Sequence, residues 1–153
     1  MKKIYTFILL SFMLFSCNSD DDVNCTSEPA FSPTVFIELV NATGENLIDN
    51  GTYIADDITI GFNESTFTNV VFTESPQIAN FIGLNVFGED GDNTFTINLS
   101  ATETDILVLN INREQTGGPC SQSFFTLNSV TYNGEPKELQ DFGGDFLITV
   151  VKE

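Results

Sequence analysis

The strongest constraint on this chain is the rhythm of its apolar residues. From Thr34 onward they come in short runs, separated by turn-forming residues roughly every eight to twelve positions. Thr94-Phe95-Thr96-Ile97-Asn98-Leu99-Ser100 alternates strictly. Successive side chains of a strand point to opposite faces, so Phe95, Ile97 and Leu99 share one face while hydroxyl and amide groups take the other. Asp57-Ile58-Thr59-Ile60-Gly61-Phe62 alternates in the same way. Stretches rich in Val, Ile, Phe and Thr predict further strands over 35–40, 67–72, 81–87, 106–111, 124–132 and 146–151. Ile106-Leu107-Val108-Leu109 is apolar on both faces and predicts a central strand. No window keeps a helical period for three turns, so little helix is expected.

The punctuation agrees. Asn41-Ala42-Thr43-Gly44, Asn50-Gly51, Gly88-Glu89-Asp90-Gly91-Asp92-Asn93, Thr116-Gly117-Gly118-Pro119 and Asn133-Gly134 all supply the positive φ that hairpins and tight turns need. The expected class is all-β, an antiparallel β-sandwich of about 7–9 strands. Glu38, Lys152 and Glu153 are expected to discourage pairing at open edges.

The first residues follow different rules. Met1-Lys2-Lys3 is a short positive segment and an apolar run follows from Ile4 to Phe15. That run is too short for a bilayer core of about 30 Å, which takes roughly 20 helical residues, and it predicts a cleaved signal instead. Leu14-Phe15-Ser16-Cys17 resembles the lipobox of bacterial lipoproteins, with leucine three before the cysteine and a small residue just before it; Phe15 departs from the small or branched residue usual in the middle. The resemblance implies a signal peptide over 1–16 and lipidation of Cys17 as the first mature residue. Residues 17–33 then form a tether, and 34–153 form the β-sandwich domain. Asn18-Ser19-Asp20-Asp21-Asp22 is similar to the acidic stretch after the lipidated cysteine of Bacteroidota surface lipoproteins, which implies an outer-membrane address with the domain facing either the cell surface or the periplasm.

A second resemblance concerns the domain. Phe36-Ile37-Glu38-Leu39-Val40-Asn41-Ala42-Thr43-Gly44-Glu45-Asn46-Leu47-Ile48, with Asp57-Ile58-Thr59-Ile60 after it and Asp145-Phe146-Leu147-Ile148-Thr149-Val150 at the end, is similar to small uncharacterised Bacteroidota lipoproteins with immunoglobulin-like or transthyretin-like sandwiches. It implies a fold and an address. None of these segments is a motif for an activity.

Charge removes several functions. Net charge is −17; without Lys2 and Lys3, three basic residues stand against 22 acidic ones, or −19. Nucleic-acid binding is excluded, since it needs Lys and Arg to neutralise phosphates. The expected membrane contact is through the lipid anchor alone. Of three cysteines, Cys17 is assigned to lipid, and an oxidising compartment makes a Cys25–Cys120 disulfide the default for the remaining two. Closing so long a loop would contribute about 4–5 kcal/mol in the chain-entropy picture.

The chain has no histidine, so Ser-His-Asp, Cys-His and His-metal arrangements are all ruled out. Carboxylate pairs for glycoside hydrolysis remain open in principle, but there is no Trp to platform a sugar, and the Phe at inward strand positions read as core. No enzyme activity and no cofactor are expected. Glu89, Asp90, Asp92 and Asn93 gather oxygen ligands in one loop and form the candidate calcium site, although they lack the length and terminal glutamate of an EF-hand loop. The functional expectation is a non-catalytic, lipid-anchored envelope module that binds a protein partner. The alternative is a surface lipoprotein that captures a glycan or a divalent cation. The absence of Trp counts against the glycan form, and a flat cluster of Phe or Tyr on one exposed sheet would favour it.

Overall fold

The computed structural model describes residues 32–117 and 121–152. Cys17, Cys25 and Cys120 lie outside that range, so the lipidation and disulfide expectations do too, as does the signal over 1–16. The described residues form eleven strands: β1 (Thr34–Val40), β2 (Thr59–Phe62), β3 (Ser65–Phe67), β4 (Val71–Phe72), β5 (Phe81–Asn85), β6 (Gly91–Asn98), β7 (Thr104–Gln115), β8 (Ser123–Tyr132), β9 (Glu135–Lys137), β10 (Gln140–Phe142) and β11 (Asp145–Val151). The only helical element among them is a single 3₁₀ turn at Ala55–Asp57.

The strands make two sheets of a β-sandwich. One has five strands in the order β10-β11-β1-β5-β4; the other has six in the order β3-β2-β6-β7-β8-β9. Alternation decides which side chains meet between them. Val35, Ile37 and Leu39 of β1 and Ile148 and Val150 of β11 face Phe95 and Ile97 of β6 and Leu107, Leu109 and Ile111 of β7 in one buried cluster. Each such side chain stabilises the fold by about 1.5–3 kcal/mol through burial, which is why the inward positions must be apolar. Leu47, Ile48, Tyr53 and Ile58 of the long β1–β2 connection join the same core.

All ladders are antiparallel except one. β1 and β11 run parallel, from Val35 opposite Phe146 to Val40 opposite Val151. Parallel neighbours need a long connection, and here most of the chain, including the whole six-stranded sheet, lies between them. The pairing keeps Ile37 beside Ile148 and Leu39 beside Val150, so the inward faces of both strands stay in phase.

The central position of β7 agrees with its two-sided apolar character, since it sits between β6 and β8. The strand predicted over 67–72 is divided. Ser65–Phe67 pairs in the six-stranded sheet and Val71–Phe72 in the five-stranded one, because residues 68–70 carry the chain from one sheet to the other with Asn69 at φ 55. At the opposite side of the sandwich residues 138 and 139 make the equivalent crossing from β9 to β10. Both lateral edges therefore end in strands of two or three residues, too short to template a neighbouring chain. The edge-charge expectation is corrected by this arrangement. Glu38 lies on β1, in the middle of its sheet, and Lys152 is bound up in an ion-pair cluster.

Candidate functional site

The crossing between β3 and β4 opens a groove of about 460 Å³ at one corner of the sandwich. Its apolar wall is built from Phe67, Phe72, Phe87, Leu84 and Val70, and its polar rim from Thr34, Thr68, Asn69 and Asn85. Phe67 and Phe72 are 38% and 41% exposed, and both line this groove. Local folding explains their positions. Phe67 pairs with Ile60 and so points inward, but β3 is the last strand of its sheet and no further described strand lies beyond it. Its ring meets Phe87 edge-on at 5.6 Å, and Phe87 in turn packs on Phe62 and Phe95.

Phe72 lies on the outer face of the five-stranded sheet, opposite Phe81. Gly83 makes room for it: a β-carbon there would fall 2.2 Å from Phe72 Cε2, so only glycine lets the ring lie across β5. Across that space Phe72 meets Phe36 edge-on at 5.5 Å, and Phe36 meets Phe142 at 5.7 Å. The result is a strip of Phe crossing the outer face of the sheet and ending at the groove. A smaller cleft of about 280 Å³, on the other side of the start of β1, is lined by Pro33, Phe124, Phe125 and Phe146.

The acidic loop has a different character. Asn93 is buried, and its side chain holds the loop closed: Oδ1 accepts from the Glu89 N–H at 3.0 Å, and Nδ2 donates to the carbonyls of Glu89 at 2.8 Å and Gly91 at 3.0 Å. Asp92 accepts from Asn110 at 2.6 Å, Asp90 from the Arg113 backbone N–H, and Glu89 pairs with the Arg113 guanidinium at 3.3 Å. The four residues proposed for calcium thus spend side-chain oxygens on the chain's own donors. Among the described residues, no three His, Cys, Asp or Glu side chains are placed to hold a metal ion.

The most buried charge is elsewhere. Asp105 is 5% exposed and accepts from the Tyr132 hydroxyl and the Asn133 Nδ2, both at 2.8 Å, and from the Lys152 ammonium. Lys152 also pairs with Glu103 at 2.7 Å, and Glu103 accepts from the Tyr53 hydroxyl at 2.9 Å. Burial alone would raise the Asp105 pKa, but the donors Lys152, Asn133 and Tyr132 overcome it and hold the carboxyl below the ordinary aspartate value. Burial likewise opposes the charge on Lys152, yet its two carboxylate partners raise its pKa. Tyr132 and Tyr53 are pushed up by burial and by the carboxylates they bond. Every member is satisfied, so this cluster pins the end of β11 to the start of β7 rather than offering a reactive group. Sequence reasoning missed it, although Asp105 shares the inward parity of Leu107, Leu109 and Ile111, and a charge at such a position signals a buried partner.

No protein-family model, curated protein or solved structure matches this chain.

Proposed function

We propose that this chain is a non-catalytic, lipid-anchored binding module of the bacterial outer envelope, and that its binding surface is the groove between β3 and β4. The observation that carries the reading is the pair of half-exposed rings, Phe67 and Phe72, on a cleft preformed by the sheet crossing and by Gly83. The case against catalysis is chemical. There is no histidine to act as a base, and Asp105, the one buried carboxylate among the described residues, is engaged by structural partners. The address rests on Met1-Lys2-Lys3, the apolar run and Leu14-Phe15-Ser16-Cys17, with the acidic tether directing the domain outward from the outer membrane. Cys25 and Cys120 fit a disulfide in that compartment.

Two experiments test the reading. Cys17→Ser should move the protein from the membrane to the soluble fraction, and unchanged membrane association would sink the anchor. Crosslinking in intact cells should capture a partner that is lost in the Phe67→Ala/Phe72→Ala double variant; capture unaffected by that change would remove the groove from the account. The alternative, a surface lipoprotein for a small ligand, rests in its glycan form on the exposed rings of Phe67 and Phe72, whereas the cation form loses support because one oxygen of each of Glu89, Asp90, Asp92 and Asn93 already accepts from the chain's own donors.

A further inference from the structure

Charge dominates this chain but not its clefts. The chain carries 22 acidic and five basic residues, yet none of the described charged residues lines the β3–β4 groove. What lines it is an aromatic wall beside neutral hydroxyls and amides. The Thr34 hydroxyl donates to Asn85 Oδ1 at 3.2 Å, and no described residue bonds the Asn85 Nδ2 or the side chains of Thr68 and Asn69. Donors and acceptors therefore stand ready beside exposed ring faces.

This composition discriminates among ligands. A cationic peptide would find no carboxylate in the groove. An anionic ligand would find no Lys or Arg there and would meet the field of a strongly negative protein. A purely hydrocarbon ligand would cover Thr34, Asn69 and Asn85 without replacing their hydrogen bonds to water. A pyranose has both surfaces required, a CH-rich face to lie on a ring and hydroxyls to bond amides and threonines. The volume falls within the about 300–1,000 Å³ typical of small-ligand sites, enough for a short stretch of glycan.

Resting on the binding-module reading, we infer that the groove is a site for an uncharged glycan, with sugar faces stacked on Phe67 and Phe72 and hydroxyls bonded by Asn69 and Asn85. The test is titration calorimetry of the soluble Cys17→Ser chain with cellohexaose, xylohexaose, mannohexaose and maltohexaose, and with hexagalacturonate as an anionic counterpart. At least one neutral hexasaccharide should bind saturably. Phe72→Ala should weaken that binding at least tenfold and Asn85→Ala at least threefold, while Phe124→Ala in the separate, smaller cleft leaves it unchanged. An unchanged melting temperature for Asn85→Ala keeps its loss of binding separate from misfolding. No heat from any neutral sugar, equal affinity for hexagalacturonate, or equal loss in Phe124→Ala would overturn the assignment. If the sugars fail while cells still give groove-dependent crosslinks, the glycan falls and the binding module stands; if both fail, both fall.

Discussion

Asp105→Ala should destabilise the domain by about 3–5 kcal/mol, a magnitude that follows from counting what the carboxylate holds. Tyr132 is 2% exposed and its hydroxyl loses its acceptor, which leaves a buried donor at a cost of about 1–3 kcal/mol. Asn133 loses a hydrogen bond worth about 0.5–1.5 kcal/mol. Lys152 keeps Glu103 at 2.7 Å, so only part of the penalty for an unpaired buried charge applies. For a domain of this size, roughly 3–5 °C is lost per kcal/mol, so the melting temperature should fall by about 10–20 °C. Urea unfolding of Asp105→Ala, Tyr132→Phe and the double variant gives the coupling, expected to be at least about 1 kcal/mol. Strict additivity, or an Asp105→Ala cost below about 1 kcal/mol, would refute the reasoning.

The same cluster sets a pH window. The Asp105 pKa is depressed in the folded state, so its contribution is complete above the ordinary aspartate value of about 3.9 and is lost as pH falls through the folded value. The Lys152 pKa is raised, so its contribution is complete below the ordinary lysine value of about 10.4 and is lost as pH rises through the folded value. The stability difference between the parent and Asp105→Asn should therefore be flat near neutrality and shrink in acid.

Other outcomes follow from the loops and cysteines. Gly88 sits at φ 144, and a β-carbon there would meet Asn93 Oδ1 at 2.1 Å, so Gly88→Ala should cost about 2–4 kcal/mol in urea unfolding; a loss below about 1 kcal/mol would contradict the role given to Asn93. Calcium added to metal-stripped protein should leave the melting temperature within about 1 °C, since Glu89, Asp90 and Asp92 each already accept from one of the chain's own donors, and a rise of several degrees would restore that site. Alkylation of unfolded protein should label Cys25 and Cys120 only after reduction, and equal labelling without reductant would dispose of the disulfide.

Much of the sandwich was legible because burial imposes a period of two. Phe95, Ile97 and Leu99 revealed their face in the sequence, and Asn133-Gly134 revealed its hairpin, where both residues adopt positive φ. Short elements without an alternating pattern were not legible. Glu135–Lys137 and Gln140–Phe142 carry a proline or charges and no alternation, and they exist because the chain must cross between sheets at that edge. The crossing at 68–70 was hidden for the opposite reason, since Phe67, Val70, Val71 and Phe72 read as one apolar run. The groove could not be foreseen, because Thr34, Phe67, Phe72, Gly83 and Phe87 come together only once the pairing order of β3, β4 and β5 is known. No local pattern in a sequence encodes that order.

The most direct test places a photoreactive phenylalanine analogue at one position at a time in cells and reads the crosslinked products. The account predicts a common adduct at positions 67 and 72 and none at Thr94, which is exposed on the outer face of the six-stranded sheet. Adducts at position 94 equal to those at 67 and 72, or none at the groove in cells where the protein is abundant, would contradict it.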